Sequence, residues 1–289
     1  MSGVLAGRTA IITGASRGIG RAIAEAFVEA GASVLIAARS SQALAETEAA
    51  LRPRLGAGQQ LRSLAVDVGE RAQIDALISQ AVETFGRVHI LVNNAGIYGP
   101  KGRLETIAWE EWEQALRVNL IGSVYAARAL LPHLRAHGGG KIIQLSGGGA
   151  TSPMPYLTAY AASKAAVVRF VESLALEVRD ARIDVNAIAP GAINTGMLDE
   201  IIAAGPERVG EEYYRRALRQ RDEGGAPIDQ AAALAVWLAS SASDGITGKL
   251  ISAVWDPWRD LGRYRDDLSS SDVYTLRRIV PKDRGLEWG

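Results

Sequence analysis

The chain of 289 residues contains no cysteine, which excludes disulfide bonds, thiolate metal sites and a cysteine nucleophile. Any redox chemistry would therefore depend on a bound cofactor. An excess of charge is also lacking, because 32 basic residues balance 32 acidic ones. Without a basic surplus there is no electrostatic attraction toward nucleic acid or an anionic membrane, and we expect neither as a partner.

Long apolar runs are missing as well. No run reaches the about 18 apolar residues that suggest a membrane span, and residues 1–7 have neither the basic nor the long apolar segment of a secretion signal. These absences predict a soluble, cytoplasmic protein.

Histidine is scarce, with three residues in the chain, and His133 and His137 have a spacing that could hold a metal. No third ligand is suggested nearby, so the preferred interpretation is a pair of cations that favour a helix C-terminus. We therefore expect no metal site.

Short apolar runs rich in β-formers alternate with amphipathic helical patterns. The predicted strands are residues 9–13, 33–38, 61–66, 88–92, 141–145, 184–188 and 249–253. The predicted helices are residues 19–30, 41–55, 71–85, 109–137, 157–179 and 228–239. Helices of this length permit right-handed crossovers between parallel strands. The pattern therefore predicts an α/β fold, with a doubly wound, parallel seven-stranded sheet and helices on both faces.

Two segments depart from this alternation. Residues 192–225 form a long insertion after the sixth strand, and loops of this size in compact domains are commonly functional. Within it lies a basic segment with Arg215, Arg216, Arg219 and Arg221, for which we prefer a solvated face to a site for an anionic substrate group. The tail, residues 254–289, is too aromatic for a disordered segment. It contains Trp255, Trp258, Tyr264, Tyr274 and Trp288.

We expect residues 1–253 to form one dinucleotide-binding and catalytic domain, with 192–225 as its substrate loop. The tail could line the substrate pocket, cover the cleft, or pack on the same domain or a neighbouring subunit.

A glycine-rich turn joins the first predicted strand to the first predicted helix, at residues 13–20. Gly14, Gly18 and Gly20 have the spacing GxxxGxG, and in this position glycines let backbone amides approach a pyrophosphate. The turn predicts a dinucleotide site.

Tyr160 and Lys164 lie four residues apart, so on a helix they share a face. An ammonium close to a phenol favours the phenolate and lowers a pKa that is ordinarily near about 10. The pair is therefore a candidate proton-transfer device.

Together these motifs resemble the short-chain dehydrogenase/reductase family in its single-domain Rossmann-fold form, over about residues 5–253. Besides the glycine turn, the chain has the family's Asn-Asn-Ala-Gly at 93–96, its Asp-Val at 67–68 and its Pro-Gly-x-x-x-Thr at 190–195. The resemblance implies that the cofactor is bound by Gly14, Ser16, Arg17, Gly18, Ile19, Gly20, Arg39, Asp67, Val68, Asn93, Ala95, Gly96, Tyr160, Lys164, Pro190, Gly191 and Thr195.

The resemblance also implies hydride transfer between a nicotinamide and a carbonyl or secondary alcohol. Tyr160 would be the general acid or base, Lys164 would lower its pKa and hold the nicotinamide ribose, and Asn119 would position a water. An asparagine that bonds to backbone at a helix kink is the alternative for Asn119. The family's usual tetramers imply a homo-oligomer. A nucleotide-binding regulatory or scaffold protein with weak or lost catalysis is the alternative function.

The residues after the second strand bear on the choice of cofactor. An acid there would pair with a ribose 2′-hydroxyl, whereas arginine would accommodate a 2′-phosphate. The chain has Arg39 at this point and Arg17 in the glycine turn, and arginine binds phosphate well. NADP(H) is therefore favoured over NAD(H).

The family's substrate-orienting serine does not align cleanly. Its usual place, about thirteen residues before Tyr160, is occupied by Gly147, and Ser146 is the neighbouring residue. Adjacent residues of a strand point to opposite faces, so this shift matters. Either a turn directs Ser146 inward, or Thr151 or Ser152 substitutes for it, or the role is missing. Ser146 is the residue we assign to the catalytic set.

Overall fold

The structure, a computed structural model, describes residues 3–288. Residues 1 and 2 of the expected domain and residue 289 of the expected tail lie outside the described residues. Within the described residues, seven parallel strands form one sheet in the order β3-β2-β1-β4-β5-β6-β7. The strands are β1 (Thr9–Thr13), β2 (Ser33–Ala38), β3 (Leu61–Ala65), β4 (Ile90–Asn93), β5 (Gly140–Leu145), β6 (Ile183–Ala189) and β7 (Leu250–Ser252). The prediction of a doubly wound parallel sheet is confirmed.

Helices cover both faces of the sheet. They are α1 (Gly18–Glu29), α2 (Ser41–Leu51), α3 (Arg71–Phe85), α4 (Trp109–Leu116), α5 (Ser123–Ala136), α6 (Thr158–Glu177), α7 (Gly196–Ala204), α8 (Pro206–Val209), α9 (Glu211–Glu223), α10 (Ile228–Ala239) and α11 (Arg265–Ser270). Helices α1, α2 and α10 pack on one face, and α3, α5 and α6 pack on the other. Apolar residues on both faces of each central strand explain why neither face is left to solvent.

The predicted helix at residues 109–137 is in fact two helices, α4 and α5, joined by a π-helical turn at Arg117–Gly122. Such turns insert a residue into the helical repeat and often occur at functional sites. The turn contains Asn119. Hydrophobic periodicity does not reveal a single wide turn, because the apolar face continues on both sides of it.

The predicted helix at residues 41–55 ends earlier, at Leu51, and continues as a 3₁₀ turn at Arg52–Arg54. Pro53 restricts the residue before it and has no N–H for the helical ladder, which explains the change.

The insertion at residues 192–225 is mostly helical. Helices α7, α8 and α9 are separated by Gly205 and Gly210, and Gly224 follows the last residue of α9. All three glycines have positive φ, which breaks the helical path. We call this three-helix segment the lid.

The tail packs back onto the sheet. The side chain of Trp258 is buried, and its ring centroid lies 6.1 Å from that of Trp237 on α10. Farther along, the Tyr274 carbonyl accepts a hydrogen bond from the Leu250 amide on edge strand β7. The tail therefore completes part of one core and covers part of the open sheet edge. No helix within residues 3–288 is long and apolar enough to cross a membrane.

Candidate active site

The carboxyl ends of β1 and β4 meet where the strand order reverses, which is the usual ligand-binding point of such a sheet. The glycine turn lies there, between β1 and α1. Gly14 has φ 66°, and a Cβ on it would lie 2.8 Å from Ala95 Cα. A Cβ on Gly20 would overlap the Asn94 side chain. Both positions therefore need glycine for the turn to pack against the loop after β4.

Thr13 and Asn94 connect this turn to the loop after β4. The Thr13 hydroxyl accepts hydrogen bonds from the amides of Asn94 and Ala95, at 3.1 and 3.2 Å. The Asn94 side chain donates to the carbonyls of Thr13 and Gly14, at 2.9 and 3.0 Å. Our sequence interpretation did not include these two residues in the site, although both lie inside its motifs.

Other residues assigned to the cofactor lie around the same edge. A Cβ on Gly18 would lie 3.6 Å from Thr195 Cγ2, so the start of α7 approaches the glycine turn. Pro190 is buried, and Gly191 has φ 89° and packs close to Val254. This brings the motif after β6 together with the turn after β1.

The remaining cofactor assignments lie on the flanking turns. Asp67 Oδ1 accepts a hydrogen bond from the Gly69 amide at 2.8 Å, and its neighbour Val68 is buried. The Ser16 carbonyl accepts a bond from Thr47, which fixes the turn against α2. Ile19 lies in the first turn of α1 and packs on the adjoining core.

Arg17 and Arg39 are both exposed at this edge. Arg17 is the N-cap residue of α1, and Arg39 follows the last residue of β2. Neither forms a salt bridge with any residue in the described part of the chain. Both guanidinium groups are therefore available to a phosphate.

Tyr160 and Lys164 lie one turn apart on α6 and are both buried. The Lys164 ammonium is 5.6 Å from the centroid of the Tyr160 ring and donates a 2.7 Å hydrogen bond to the Leu145 carbonyl. Burial lowers the pKa of Lys164 to about 8. Burial also raises the pKa of Tyr160 above its ordinary value, and the nearby Tyr213 adds to the rise. This direction is opposite to the one that the spacing alone predicts, because desolvation of the phenolate outweighs the ammonium.

Asn119 joins the π-helical turn to two other parts of the site. Its Oδ1 accepts from the Ile97 amide at 2.8 Å, and its Nδ2 donates to the Ile97 carbonyl and to Ser163 Oγ, each at 2.9 Å. A Cβ on Gly96 would be 3.3 Å from Asn119 Oδ1 and 3.5 Å from Lys164 Nζ. The asparagine therefore bonds to distant backbone rather than locally, and it lies beside the lysine.

Asn93 has a structural place in the same region. It is buried at the end of β4, and its Nδ2 donates to the Ser123 carbonyl at 3.0 Å. This bond attaches the strand to the start of α5.

Gly147, rather than Ser146, faces Tyr160. A Cβ on Gly147 would overlap Tyr160 Oη and lie 3.2 Å from Cζ. Ser146 is buried, and its hydroxyl has no hydrogen-bond partner among residues 3–288. Thr151 and Ser152 are both exposed.

Tyr98, which we did not single out from the sequence, contacts Tyr160 directly. Their ring centroids are 4.7 Å apart with a 58° angle between the planes. An apolar cluster surrounds Tyr160 and unites the lid with α6 and the loop after β4. Its members include Leu157, Leu198, Ile201 and Val209, with Tyr98, Met154, Met197 and Tyr213 packed against them.

Two other constellations have structural places instead. His133 Nε2 accepts a hydrogen bond from the Val88 amide at 3.0 Å, and the His137 ring stacks on it. Of the four arginines on α9, all exposed, Arg215 pairs with Glu211 and Arg221 with Asp222. These arginines form a solvated helix face.

The family model described as short chain dehydrogenase matches residues 8–205. A versicolorin reductase of Emericella nidulans is 37% identical over 254 residues, which cover 86% of this chain and 94% of that protein. A 3β-hydroxysteroid dehydrogenase of Eggerthella lenta is 40% identical over 248 residues, 84% of this chain and 91% of that one.

Among solved structures, L-sorbose reductase of Gluconobacter frateurii, in complex with NADPH and L-sorbose, aligns with a TM-score of 0.76 and 32% identity. The alignment covers 87% of this chain and 97% of that one. The chain therefore belongs to the short-chain dehydrogenase/reductase family, oxidoreductases that act on carbonyl and alcohol groups with a nicotinamide nucleotide.

Proposed function

We propose that the protein uses NADPH to reduce the carbonyl group of a small apolar compound, with Tyr160 as the proton donor. The observation that supports this most is the pairing of a buried phenol with a buried lysine beside the glycine turn. A general acid must hold its proton until the reaction, and the raised pKa of Tyr160 keeps the phenol neutral.

When bound, the nicotinamide would supply the hydride. Tyr160 would donate its proton to the carbonyl oxygen, which leaves a phenolate on α6. The Lys164 ammonium would stabilise that phenolate and bind a ribose hydroxyl, since within residues 3–288 it donates to a single neutral carbonyl. Asn119 would hold the loop after β4 against α6 and position a water next to Lys164.

The residues around the turn after β2 support the preference for NADPH. Arg17 and Arg39 are exposed and lack ion-pair partners within residues 3–288. Ser40 and Ser41 follow Arg39, so the start of α2 presents no acid that would repel a phosphate. A planar guanidinium can bind the 2′-phosphate through two hydrogen bonds.

The lining of the site supports an apolar ring compound as substrate. Around Tyr160 the side chains of Tyr98, Met154, Met197 and Tyr213 offer aromatic and thioether surface. Such surface suits flat or alicyclic rings and gives a sugar few hydrogen-bond partners. The similarity to a versicolorin reductase and to a 3β-hydroxysteroid dehydrogenase points the same way.

Two further expectations belong to this proposal. We expect the protein to act in the cytoplasm and to assemble as a homo-oligomer. Residues 1–253 would carry the site, and the tail would pack on the same domain or a neighbouring subunit. Sedimentation of the full chain would test the assembly.

The test is an assay of NADPH oxidation with 1-tetralone, 2-decalone and phenanthrenequinone, repeated with NADH. We expect turnover with at least one ketone and a lower Michaelis constant for NADPH. Arg39→Ala and Arg17→Ala should each raise that constant about tenfold, because each removes a charged phosphate contact. Arg62→Ala is the control, since Arg62 is an exposed arginine on the neighbouring strand β3.

A preference for NADH, or arginine variants that match the control, would overturn the choice of NADPH. Tight NADPH binding without turnover of any ketone would favour the alternative of a regulatory protein.

A further inference from the structure

The hydroxyl that the family places opposite its tyrosine has no counterpart at residue 147. Gly147 faces Tyr160, and a Cβ there would overlap the tyrosine hydroxyl. Tyr160 therefore occupies space that a side chain at this position would need. A substrate oxygen at Tyr160 would still benefit from a second hydrogen-bond donor, because two donors hold it in one orientation.

The neighbouring hydroxyls at the end of β5 are poor substitutes. Ser146 lies on the same face of the strand as Gln144, inside the packing of α5 and α6. Neither the Ser146 hydroxyl nor the Gln144 amide has a partner within residues 3–288, and neither bonds to Tyr160. Thr151 and Ser152 point to solvent on an exposed loop.

Tyr98 is better placed. It follows the Asn-Asn-Ala-Gly segment, and its ring lies against the Tyr160 ring with 4.7 Å between centroids. Burial raises the pKa of Tyr98 well above its ordinary value, and Tyr213 and Tyr160 add to the rise. A phenol that stays neutral remains a hydrogen-bond donor at any physiological pH.

We propose that the Tyr98 hydroxyl, supported by Tyr213 of the lid, donates the second hydrogen bond to the substrate oxygen, in place of a side chain at residue 147. This rests on the proposed function. Tyr160 still gives up its proton in the reaction, whereas Tyr98 keeps its own and only orients the oxygen.

The lid and the Tyr98 loop are joined in a way that fits this role. Lys101 pairs with Glu200 on α7 at 3.2 Å, and Arg208 on α8 donates to the Lys101 carbonyl at 3.2 Å. Tyr213 on α9 belongs to the same apolar cluster as Tyr98 and Tyr160. These contacts hold the supporting phenol and the donor together.

The experiment compares Tyr98→Phe with the wild type in NADPH-dependent reduction of the best ketone from the panel. We expect kcat/KM to fall about 10- to 100-fold, the usual effect of one lost donor to a reacting oxygen. The Kd for NADPH should stay within twofold of the wild-type value, and the Tm should not change. Tyr214→Phe is the control, because it removes a phenol from the next residue of α9.

Tyr213→Phe tests the supporting role. We expect a smaller fall, about three- to tenfold, and no further fall when it is combined with Tyr98→Phe. Additive losses in the double variant would show that Tyr213 acts independently of Tyr98 and would overturn this part.

Gly147→Ser tests the alternative that the site merely lacks the family's serine and would gain activity if one were introduced. The new side chain would displace Tyr160, so we expect kcat/KM to fall about tenfold or more. A rise in activity would overturn the proposal, as would a Tyr98→Phe variant within twofold of an active wild type. A wild type that turns over no ketone would overturn the proposed function and this inference with it.

Discussion

Lys141 and Lys164 are both buried, and they lie at opposite ends of strand β5. Lys141 belongs to the strand, whereas Lys164 lies on α6 and bonds to the last residue of the strand. At the amino end, Lys141 contacts Asp184 at 2.6 Å and Asp244 at 2.7 Å, and it donates to Ser243 at 3.2 Å. At the carboxyl end, the one hydrogen bond that Lys164 makes within residues 3–288 is to the Leu145 carbonyl, at 2.7 Å. The first charge is neutralised and the second is not.

Burial alone therefore does not mark a functional lysine. A buried cation without a carboxylate is costly, so it must be stabilised either by carbonyl groups of the fold or by a bound partner. Lys141 stabilises the fold, whereas we propose that Lys164 serves a phenolate and a ribose.

Cavity size does not indicate the position of the candidate site either. A cavity of about 1160 Å³ lies at the amino edge and is lined by Lys141 and Lys249, among others, but not by Tyr160. At the carboxyl edge the lid packs directly on Tyr160. The chemistry is located by the neighbours of each charged group rather than by empty volume.

Replacing the uncompensated lysine should give the largest effect. We expect Lys164→Met to lower kcat/KM for ketone reduction by about 1000-fold, because the Tyr160 phenolate loses its stabilising charge. Steady-state kinetics with NADPH measures this. Lys141→Met, assayed beside it, should keep kcat/KM within twofold, and a comparable loss in both variants would remove the distinction between the two ends.

Lys141→Met should act on stability instead. It leaves Asp184 partly buried and without its cation, which costs about 3 kcal/mol of unfolding free energy. Urea denaturation measures the loss. Arg135→Met breaks an exposed pair with Asp180 and should cost less than about 0.5 kcal/mol. Equal costs in the two variants would contradict the view that Lys141 is a buried anchor.

The two lysines should also differ in how pH affects stability. The pKa of Lys164 is about 8 when folded and 10.5 in its ordinary state, so the folded protein binds this proton less tightly than the unfolded chain. Below pH 8 the penalty for burying the charged lysine is fully present, at about 3 kcal/mol. Lys164→Met removes this penalty but leaves the Leu145 carbonyl unbonded, at a cost of about 1 kcal/mol, so the variant should be about 2 kcal/mol more stable than wild type. Between about pH 8 and 10.5 that advantage should shrink as the wild type is relieved of its charge. An advantage independent of pH would contradict the burial of an uncompensated ammonium.

A third buried lysine extends the comparison with the smallest expected effect. Lys249 donates to the tail carbonyls of Ser271 and Val273, at 3.0 and 2.9 Å. Lys249→Met leaves both carbonyls unbonded and should cost about 1 kcal/mol, with faster proteolysis of the tail. Lys282→Met, in an exposed part of the tail, should change neither quantity. An unchanged cleavage rate in Lys249→Met would mean that the tail is held by other contacts.

The sheet could be predicted from the sequence because each strand is a local apolar run between turn residues. The structure moves strand ends by at most two residues, as at β4, which begins at Ile90 instead of residue 88. Interruptions within helices were harder to predict from the sequence. The π-helical turn at Asn119 lies in an unbroken helical pattern, and its cause is the pair of bonds to Ile97, which is distant in sequence.

The site residues that belong to a sequence motif could be assigned from the sequence. Those that are noticed only because they pack against a motif residue could not. Tyr98 has no motif of its own, and only its packing on Tyr160 draws attention to it. Likewise, the spacing of Tyr160 and Lys164 predicted a lowered tyrosine pKa. The sequence shows the lysine charge but not the lid, whose packing on Tyr160 excludes water.

Tyr160 as the proton donor is the central step of the proposed mechanism. The most direct measurement is single-turnover NADPH oxidation by Tyr160→Phe in the presence of the best ketone, with NADPH affinity measured by fluorescence on the same sample. We predict a rate about 1000-fold below wild type with an unchanged Kd, because the substitution removes the proton and leaves the cofactor cradle intact. A rate within tenfold of wild type would contradict the account.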